Sequence, residues 1–290
     1  MRVDRVRRSS YLVPIGGGSI PSAVIRTIGS LSRSDSPTAL IIPAASRLSG
    51  DCELQMFHAA GIRAELLELR DRIDAGRGRI LEALETGDIL FFTGGDQLCL
   101  TQALRNTPAE QVIRRRLAAG VVIAGTSAGA AVMGELMPAG GTGRGALLSG
   151  GVQEGQGESG DDLGPVVIAE GLGLIDGLIV DQHFFARGRF GRLAYMVTRY
   201  RKREMVGLGI DDSTAVIIDP AARNMFVIGD GSVAVITTAA MGYDNLEVGG
   251  PMASFGLTVD VLSWGNGYDL RRCQPLQLED ARDLVAATLE

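Results

Sequence analysis

Residues 120–136, GVVIAGTSAGAAVMGEL, contain the pattern that most constrains the fold: an apolar run, a glycine-rich turn and a helix-like run. The pentapeptide at 125–129 has the form G-x-S-x-G, which places a serine on a sharp strand-to-helix turn. Ser127 is therefore a candidate nucleophile, and the amide of Ala128 would point at an oxyanion formed beside it. The alternative interpretation is a purely structural turn built from small residues.

Length and composition predict a globular protein with a substantial core. The chain has 290 residues, of which 46% are hydrophobic and 21% charged, enough for one large or two small domains. Its longest apolar runs, such as 121–124 and 166–169, are far too short to cross a membrane, and residues 1–10 are not followed by the hydrophobic core of a signal peptide. We therefore expect a cytoplasmic protein that does not interact with membranes.

Charge and rare residues exclude several classes of function. The net charge of -6 argues against a nucleic-acid-binding surface. Lys202 is the only lysine, so Walker-type nucleotide hydrolysis and Schiff-base chemistry have no good candidate residue. The three cysteines, Cys52, Cys99 and Cys273, are widely spaced and support neither a disulfide framework nor a zinc site. We expect no metal ion and no cofactor.

Short β-like runs alternate with helical patterns, which predicts an α/β fold with a mainly parallel sheet flanked by helices. The predicted strands are 11–15, 39–43, 62–67, 89–93, 121–125, 166–169 and 177–180, and the predicted helices are 21–31, 51–60, 76–86, 97–104 and 109–117. Farther along, a C-terminal hairpin is predicted from 224–228 and 232–237, with a further strand at 254–262. Residues 140–163 predict an exposed loop. Because no linker or repeat is evident, residues 1–290 are predicted to form a single domain.

Three glycine-rich turns follow predicted strands, at 16–19, at 94–97 and around Ser127. Ligands of open α/β sheets bind beyond the carboxyl ends of the strands, so these turns are expected to contribute to one site. The amide of Gly95 is a candidate second donor to an oxyanion. Gln97 either binds a polar end of a substrate or caps the helix that follows it.

A serine nucleophile needs a base, and the chain has two histidines. His58 lies in a helical pattern away from the glycine-rich turns, which is typical of a helix surface. His183 follows a predicted strand and is a candidate base. Its segment also carries Asp181, Gln182, Arg187, Arg189 and Arg192. Four carboxylates remain candidates for orienting the imidazole: Glu135, Asp181, Asp211 and Asp212.

Four ordered motifs together resemble the serine exopeptidase family that contains cyanophycinase and dipeptidase E. They are GGDQ at 94–97, GTSAGA at 125–130, DQHFFARGRFGRL at 181–193 and GIDDSTA at 209–215. The resemblance extends from around Val13 to around Ile236. It implies a class I glutamine amidotransferase-like fold, in which serine takes the place of the amidotransferase cysteine.

The resemblance also implies roles for individual residues. Ser127 would be the nucleophile and His183 its base, with the amides of Gly95 and Ala128 forming the oxyanion hole. Asp212 occupies the position where the family usually has glutamate, so it is either a shorter third member of the catalytic triad or only structural. The residues implied to hold the β-linked aspartyl-arginine unit of the substrate are Gln97, Asp181, Gln182, Arg187, Arg189 and Arg192. Arginine forks suit the carboxylates of such a unit, and carboxylate and amide groups suit its guanidinium.

The activity implied by the resemblance is release of β-Asp-Arg dipeptides from cyanophycin, a storage polymer with a poly-aspartate backbone and an arginine amide-linked to each side chain. Two alternatives stay open. One is a related peptidase that cuts short aspartyl peptides, and the other is a non-catalytic binding protein, which the replacement by Asp212 would allow. The expected partner is cyanophycin or a β-aspartyl peptide, with no nucleic acid and no membrane, and the family resemblance allows a homodimer.

Overall fold

The computed structural model of the protein describes residues 10–45, 50–149, 152–154, 165–247 and 249–276. These residues form a mixed α/β structure with two large sheets, one small sheet and flanking helices. In the described part of the chain, no helix combines the length and the apolar character needed to span a membrane.

The elements are numbered in chain order. The strands are β1 (Tyr11–Ile15), β2 (Thr38–Ile42), β3 (Arg63–Leu66), β4 (Ile89–Phe92), β5 (Val122–Thr126), β6 (Leu136–Gly140), β7 (Val152–Glu154), β8 (Val166–Glu170), β9 (Leu178–Asp181), β10 (Val206–Ile210), β11 (Thr214–Asp219), β12 (Asn224–Gly229), β13 (Ser232–Thr237), β14 (Tyr243–Asn245), β15 (Ala253–Phe255), β16 (Thr258–Ser263), β17 (Gly267–Asp269) and β18 (Gln274–Pro275). The helices are α1 (Ser22–Ser30), α2 (Asp51–Ala59), α3 (Gly78–Thr86), α4 (Gln97–Leu104), α5 (Pro108–Ala119), α6 (Ala128–Ala131), α7 (Gly143–Ser149) and α8 (Phe190–Arg199), with 3-10 turns at Asp74–Gly76 and Arg201–Arg203.

The first sheet has the strand order β18-β17-β12-β11-β1-β5-β4-β2-β3. Its half from β1 to β3 is parallel, and its half from β11 to β18 is antiparallel. The inner parallel strands β1, β2, β4 and β5 are buried on both faces, in keeping with the unbroken apolar sequence of β4, ILFF, whereas the edge strand β3 is partly exposed. Helical crossovers between them bring the carboxyl ends of β1, β4 and β5 to one edge.

The second sheet has the order β16-β13-β10-β9-β6-β8-β7 and mixes parallel with antiparallel pairs. Helices α1 and α2 cover the outer face of the first sheet, while α7 and α8 cover the outer face of the second. The largest core takes side chains from both sheets and from α3, α4, α5 and α6. The short helix α6, which follows Ser127, is therefore completely buried where the two sheets meet.

The predicted strands and helices up to β5 are confirmed to within two residues at each end. The prediction of one mainly parallel sheet is wrong, since the two large sheets both mix parallel and antiparallel strands. Short turns cause the difference: residues 220–223 join β11 to β12, and a connection of that length permits only antiparallel pairing.

The predicted C-terminal hairpin is a second correction. Strands β12 and β13 form where expected, but β12 pairs with β11 and β17, whereas β13 pairs with β10 and β16. The turn between them is bonded to other residues, because the N–H of Asp230 donates to the carbonyl of Ser213 at 3.0 Å and that of Gly231 to Oγ1 of Thr214 at 2.8 Å. The turn consequently carries the chain from one sheet to the other.

The predicted loop at 140–163 contains regular structure. Residues 143–149 form α7, which packs on α8 through close contact of Gly143 with Gly191, and residues 152–154 form β7. Residues 155–163 lie outside the described ranges. The strand predicted at 254–262 is two strands, β15 and β16, which are separated at Gly256 by a backbone φ of 85°.

We expect Gly209→Ala to lower the free energy of unfolding by about 1 to 3 kcal/mol through overpacking. A Cβ at this position in β10 would lie 2.5 Å from ring atoms of Phe184, which follows His183. The change is measured as a lower midpoint of urea unfolding with an unchanged slope. Gly78→Ala is the matched control, since a Cβ there meets nothing within 4 Å and alanine favours the start of α3. Equal midpoints for the two variants would contradict the expectation.

Candidate active site

Ser127 lies at the junction of β5 and α6 with a φ of 52° and a ψ of -112°. A positive φ is unfavourable for a residue with a side chain, so the surrounding structure must hold this turn in place. The N–H of Ser127 donates to the carbonyl of Ile15 at 2.9 Å, and α6 behind it is buried. The serine hydroxyl is therefore fixed beyond the carboxyl end of β5.

Three side chains are joined by hydrogen bonds at this point. Oγ of Ser127 lies 2.9 Å from Nε2 of His183, and Nδ1 of the same imidazole bonds to Oδ1 of Asp212. A carboxylate beside Nδ1 favours the tautomer with the proton on that nitrogen, which leaves Nε2 able to accept the serine proton. Asp212 thus contacts the imidazole although it is one methylene shorter than glutamate.

The other three carboxylates that the sequence left open make different contacts. Glu135 forms an ion pair with Arg203, and Asp181 forms one with Arg192. Asp211 accepts backbone N–H groups from the turn that follows His183. Of the four candidates, Asp212 is the one bonded to the imidazole.

The glycine-rich turn at 16–18 packs against the imidazole and its carboxylate partner. The N–H of His183 donates to the carbonyl of Gly16 at 2.8 Å. Gly17 has a φ of 121°, and a Cβ on it would lie 2.2 Å from Cε1 of His183. A Cβ on Gly18 would lie 2.9 Å from Cβ of Asp212. Only glycine allows the backbone to approach the two side chains this closely.

Gln182 provides a second acceptor for the serine hydroxyl. Its Oε1 lies 3.2 Å from Oγ of Ser127, slightly farther than Nε2 of His183. The Gln182 side chain is buried, so its amide is held next to the reacting hydroxyl. A group in this position can contact the serine and any molecule bound to it.

Two backbone amides flank Ser127. Ala128 is the first residue of α6, and the first N–H groups of a helix have no partner within the helix. On the other side, a Cβ added to Gly94 would lie 3.6 Å from Cβ of Ser127, and the next residue, Gly95, has a φ of 140°. Across the described ranges, the N–H of Gly95 donates to no protein group. Such a pair of donors can stabilise negative charge on an oxygen bound beside the serine.

Asp181 and Arg192 form a buried ion pair behind the site. Nε of Arg192 donates to Oδ2 of Asp181 at 2.7 Å and Nη2 to Oδ1 at 2.5 Å, while the two side chains are 4% and 0% exposed. A further bond of 3.0 Å runs from Arg192 to the carbonyl of Gly141 at the end of β6. The pair therefore anchors the end of β9, which leads into Gln182 and His183, to α8 and to the end of β6.

Arg187 and Arg189 lie closer to the surface. Nη1 of Arg189 donates to the carbonyl of Gln182 at 2.6 Å, and burial, followed by the charge of Arg192, lowers the pKa of Arg189 to about 10. Arg187 is exposed, and its guanidinium has no hydrogen-bond or ion-pair partner among the described residues. Arg187 is thus the cation of this segment that is best placed to meet a ligand.

Gln97 does not cap its helix, and His58 lies away from the site. Nε2 of Gln97, at the start of α4, donates to the carbonyl of Pro138 at 2.8 Å, whereas the side chain of Asp96 caps that helix. His58 is exposed on α2, with Nε2 3.1 Å from the carbonyl of Ala64. His58 therefore belongs to a helix surface, as its sequence pattern predicts.

Sequence reasoning missed the parts played by Gly17, Gly18 and Asp211. The glycine-rich turn at 16–19 was expected to contribute to the site, but its close contact with His183 was not predicted. Residue type and spacing did not distinguish Asp211, which bonds to main-chain amides, from Asp212, which bonds to the imidazole; the family motif alone pointed to Asp212.

The site as a whole is that of a serine-type hydrolase: a strained serine, an imidazole within hydrogen-bond distance, a carboxylate behind it and two amides beside it. The chain belongs to Peptidase family S51, which it matches over residues 15–224. It is therefore a peptidase.

Relatives agree with this assignment, and a solved structure shares the fold. The chain is 34% identical over 281 residues to a cyanophycinase of Trichormus variabilis, covering 93% of this chain and 88% of that protein. It is 36% identical over 244 residues to a cyanophycinase of Geminocystis herdmanii, covering 81% and 84%. The fold is similar to a peptidase from an acI-B1 actinobacterium, with a TM-score of 0.63, 22% identity and coverage of 90% of this chain and 97% of that one.

We expect the imidazole of His183 to titrate below its ordinary pKa of 6.5. Burial lowers this pKa most, the charges of Arg187 and Arg189 lower it further, and the bond to Asp212 offsets only part of the effect. The neutral imidazole, which can accept a proton, should consequently persist as the pH falls below 6.5. The measurement is the pH dependence of the imidazole proton resonances in His58→Ala, which leaves one histidine.

Arg187→Gln removes a positive charge beside the ring, so it should raise this midpoint toward 6.5. Arg115→Gln, on the surface of α5, serves as the charge-matched control and should leave the midpoint unchanged. A wild-type midpoint at or above 6.5 would contradict the expected effect of burial.

Proposed function

We propose that this protein is a serine exopeptidase that hydrolyses cyanophycin and releases β-Asp-Arg dipeptides. The observation that carries the proposal is the hydrogen-bonded series of Ser127, His183 and Asp212 in a chain similar over most of its length to proteins named cyanophycinase. The non-catalytic alternative is not favoured, because Asp212 bonds to the imidazole despite its shorter side chain.

In the proposed reaction, Oγ of Ser127 attacks the carbonyl carbon of an aspartyl residue while Nε2 of His183 accepts the hydroxyl proton. The negative carbonyl oxygen is stabilised by the N–H groups of Gly95 and Ala128. The imidazolium, stabilised by Asp212, then gives its proton to the leaving amine, and an acyl-enzyme remains. A water molecule activated by His183 hydrolyses this ester and regenerates the serine.

The proposal keeps all six predicted substrate residues at the binding site but gives them different parts. Arg187 contacts a free carboxylate of the substrate, which its exposure and lack of a described partner support. Gln182 and Gln97 bind polar groups close to the reacting carbonyl. Asp181 and Arg192 neutralise each other, so they act on the substrate mainly through their neighbours. These neighbours are Gln182, whose N–H donates to Asp181, and Arg189, which donates to the carbonyl of Gln182.

The finer features of the fold are part of the proposal. We infer a class I glutamine amidotransferase-like arrangement, with serine at the position of the amidotransferase cysteine. Residues 1–290 are proposed to act as a single α/β hydrolytic domain, which the core shared by both sheets supports. The protein is proposed to act in the cytoplasm, where a storage polymer would be consumed, and the family resemblance allows a homodimer.

Incubation with cyanophycin should release β-Asp-Arg dipeptides, which mass analysis of the products identifies. Ser127→Ala and His183→Ala should each lower the rate of release by several orders of magnitude, up to about 10⁶-fold, because the two groups act as one unit. His58→Ala is the matched histidine control and should retain the wild-type rate, since its side chain lies on the surface of α2.

Full release by Ser127→Ala would eliminate the serine mechanism, and equal damage from both histidine variants would mean that the site is misplaced. A wild-type protein that cuts short aspartyl peptides but leaves the polymer intact would instead favour the related dipeptidase activity.

Arg187→Lys should reduce kcat/KM on cyanophycin about tenfold to a hundredfold, although the charge is retained. The planar guanidinium can make two parallel bonds to a carboxylate and an ammonium cannot, a difference of about 1.5 to 3 kcal/mol for a charged hydrogen bond. The same substrate with its carboxylates converted to amides should already be poor and should lose less. Measuring kcat/KM for both substrates with the wild type and with Arg187→Lys tests whether the difference between the two substrates becomes smaller in the variant.

Arg115→Lys is the control, because Arg115 is an exposed arginine paired with Glu85 away from the site. Arg192→Lys should behave differently from Arg187→Lys, with similar losses on both substrates and a lower unfolding midpoint, since it disturbs a buried ion pair. A small and uniform loss in Arg187→Lys would show that this arginine is only a surface charge.

A further inference from the structure

Asp211 directly precedes the proposed triad acid, yet its carboxylate is bonded to main-chain groups instead of the imidazole. Its Oδ1 accepts the N–H of Phe185 at 3.1 Å and the N–H of Ala186 at 2.9 Å. We propose that Asp211 is a positioning residue for the base: it holds the turn 183–187 so that His183 stays aligned with Ser127. This inference rests on the proposed roles of these two residues.

The turn is held by two separate segments of the chain, one at Gly16 and one at residues 210–211. The N–H of His183 donates to Gly16 at 2.8 Å, and the N–H of Phe184 donates to Ile210 at 3.2 Å. Asp211 takes the next two N–H groups. Four consecutive amides are therefore bonded to residues distant in sequence, and Asp211 supplies the partner for two of them.

The conformation of His183 explains why such anchoring is needed. Its φ is 47°, in the left-handed region that residues with a side chain avoid. Without external bonds, this residue would relax toward a negative φ and rotate the imidazole away from its place. The carboxylate of Asp211 accepts charge-assisted bonds, which are stronger than bonds between neutral groups, so it opposes that relaxation.

Adjacent aspartates thus divide the work on the same histidine. Asp212 fixes the ring through Nδ1, and Asp211 fixes the main chain that carries the ring. Because both stand on the turn between β10 and β11, any displacement of that turn moves the ring and its backbone together. The 2.9 Å separation between Nε2 and Oγ of Ser127 is preserved as a result.

The chain offers a matched control in Asp219. Its Oδ1 also accepts two consecutive amides, those of Ala221 and Ala222, each at 2.9 Å. Those bonds are local and lie at the far end of β11, about 17 Å along the strand from the active-site turn. Asp219 therefore reproduces the bonding of Asp211 without any connection to His183.

The test measures the rate at which a fluorophosphonate probe labels Ser127, which requires His183 but no knowledge of the substrate. Asp211→Ala should slow labelling about tenfold to a hundredfold, the cost of a displacement of about 1 Å at a reacting group. Asp211→Asn should remain within a few-fold of wild type, because the amide oxygen can still accept both N–H groups. Asp219→Ala should label at the wild-type rate even if its unfolding midpoint falls.

The end point of labelling separates positioning from folding. A positioning role predicts that Asp211→Ala reaches the wild-type fraction labelled, only more slowly, and that kcat on cyanophycin falls while KM is kept. A smaller fraction labelled at an unchanged rate would overturn the proposal, as would equal slowing by Asp211→Asn and Asp211→Ala. A wild-type labelling rate in Asp211→Ala would overturn the positioning role but leave the proposed nucleophile intact. Labelling of Ser127→Ala would instead overturn the proposed nucleophile.

Discussion

The hydrogen bond from the N–H of His183 to the carbonyl of Gly16 joins the two large sheets, and the site depends on it. Gly16 follows β1 in the first sheet, whereas His183 follows β9 in the second. Since Ser127 stands on the first sheet, nucleophile and imidazole meet only where the sheets meet. The N–H of Gly16 also donates to Thr214 at 2.9 Å, which draws the turn carrying Asp212 into the same junction.

Local sequence determined much of the fold because the relevant signals are local. The strands up to β5 are short apolar runs, and the helices between them have apolar residues at helical spacing, so both were predictable. Pairing between distant strands was not. Whether β12 pairs with β13 depends on bonds from Asp230 and Gly231 to a turn more than a dozen residues earlier, and neither strand sequence contains that information. Helix α8 was not among the predicted helices, although its residues from Gly191 to Thr198 are buried.

The candidate site was likewise predictable from the sequence only in part. The G-x-S-x-G turn and the scarcity of histidine were enough to nominate Ser127 and His183, whose side chains lie 2.9 Å apart. Residue type and spacing could not select among the neighbouring acids, because side-chain direction in the turn between β10 and β11 depends on long-range contacts. Only the resemblance to the family singled out Asp212. Asp181, Arg192 and Arg187 were all predicted to bind substrate, although the first two neutralise each other in the interior. Burial, which sequence patterns report poorly for charged residues, makes that distinction.

Because the reacting groups stand on different sheets, the core between the sheets sets a mechanical tolerance for catalysis. Packed sheets lie about 10 Å apart, so a rotation of about 5° between them would shift one group against the other by about 0.9 Å. A displacement of that size is enough to cost about a hundredfold in rate. Leu208 and Val216, buried in the shared core, thus help to set the distance and angle between the two sheets. Their volume is constrained by the alignment it maintains as well as by the stability it contributes.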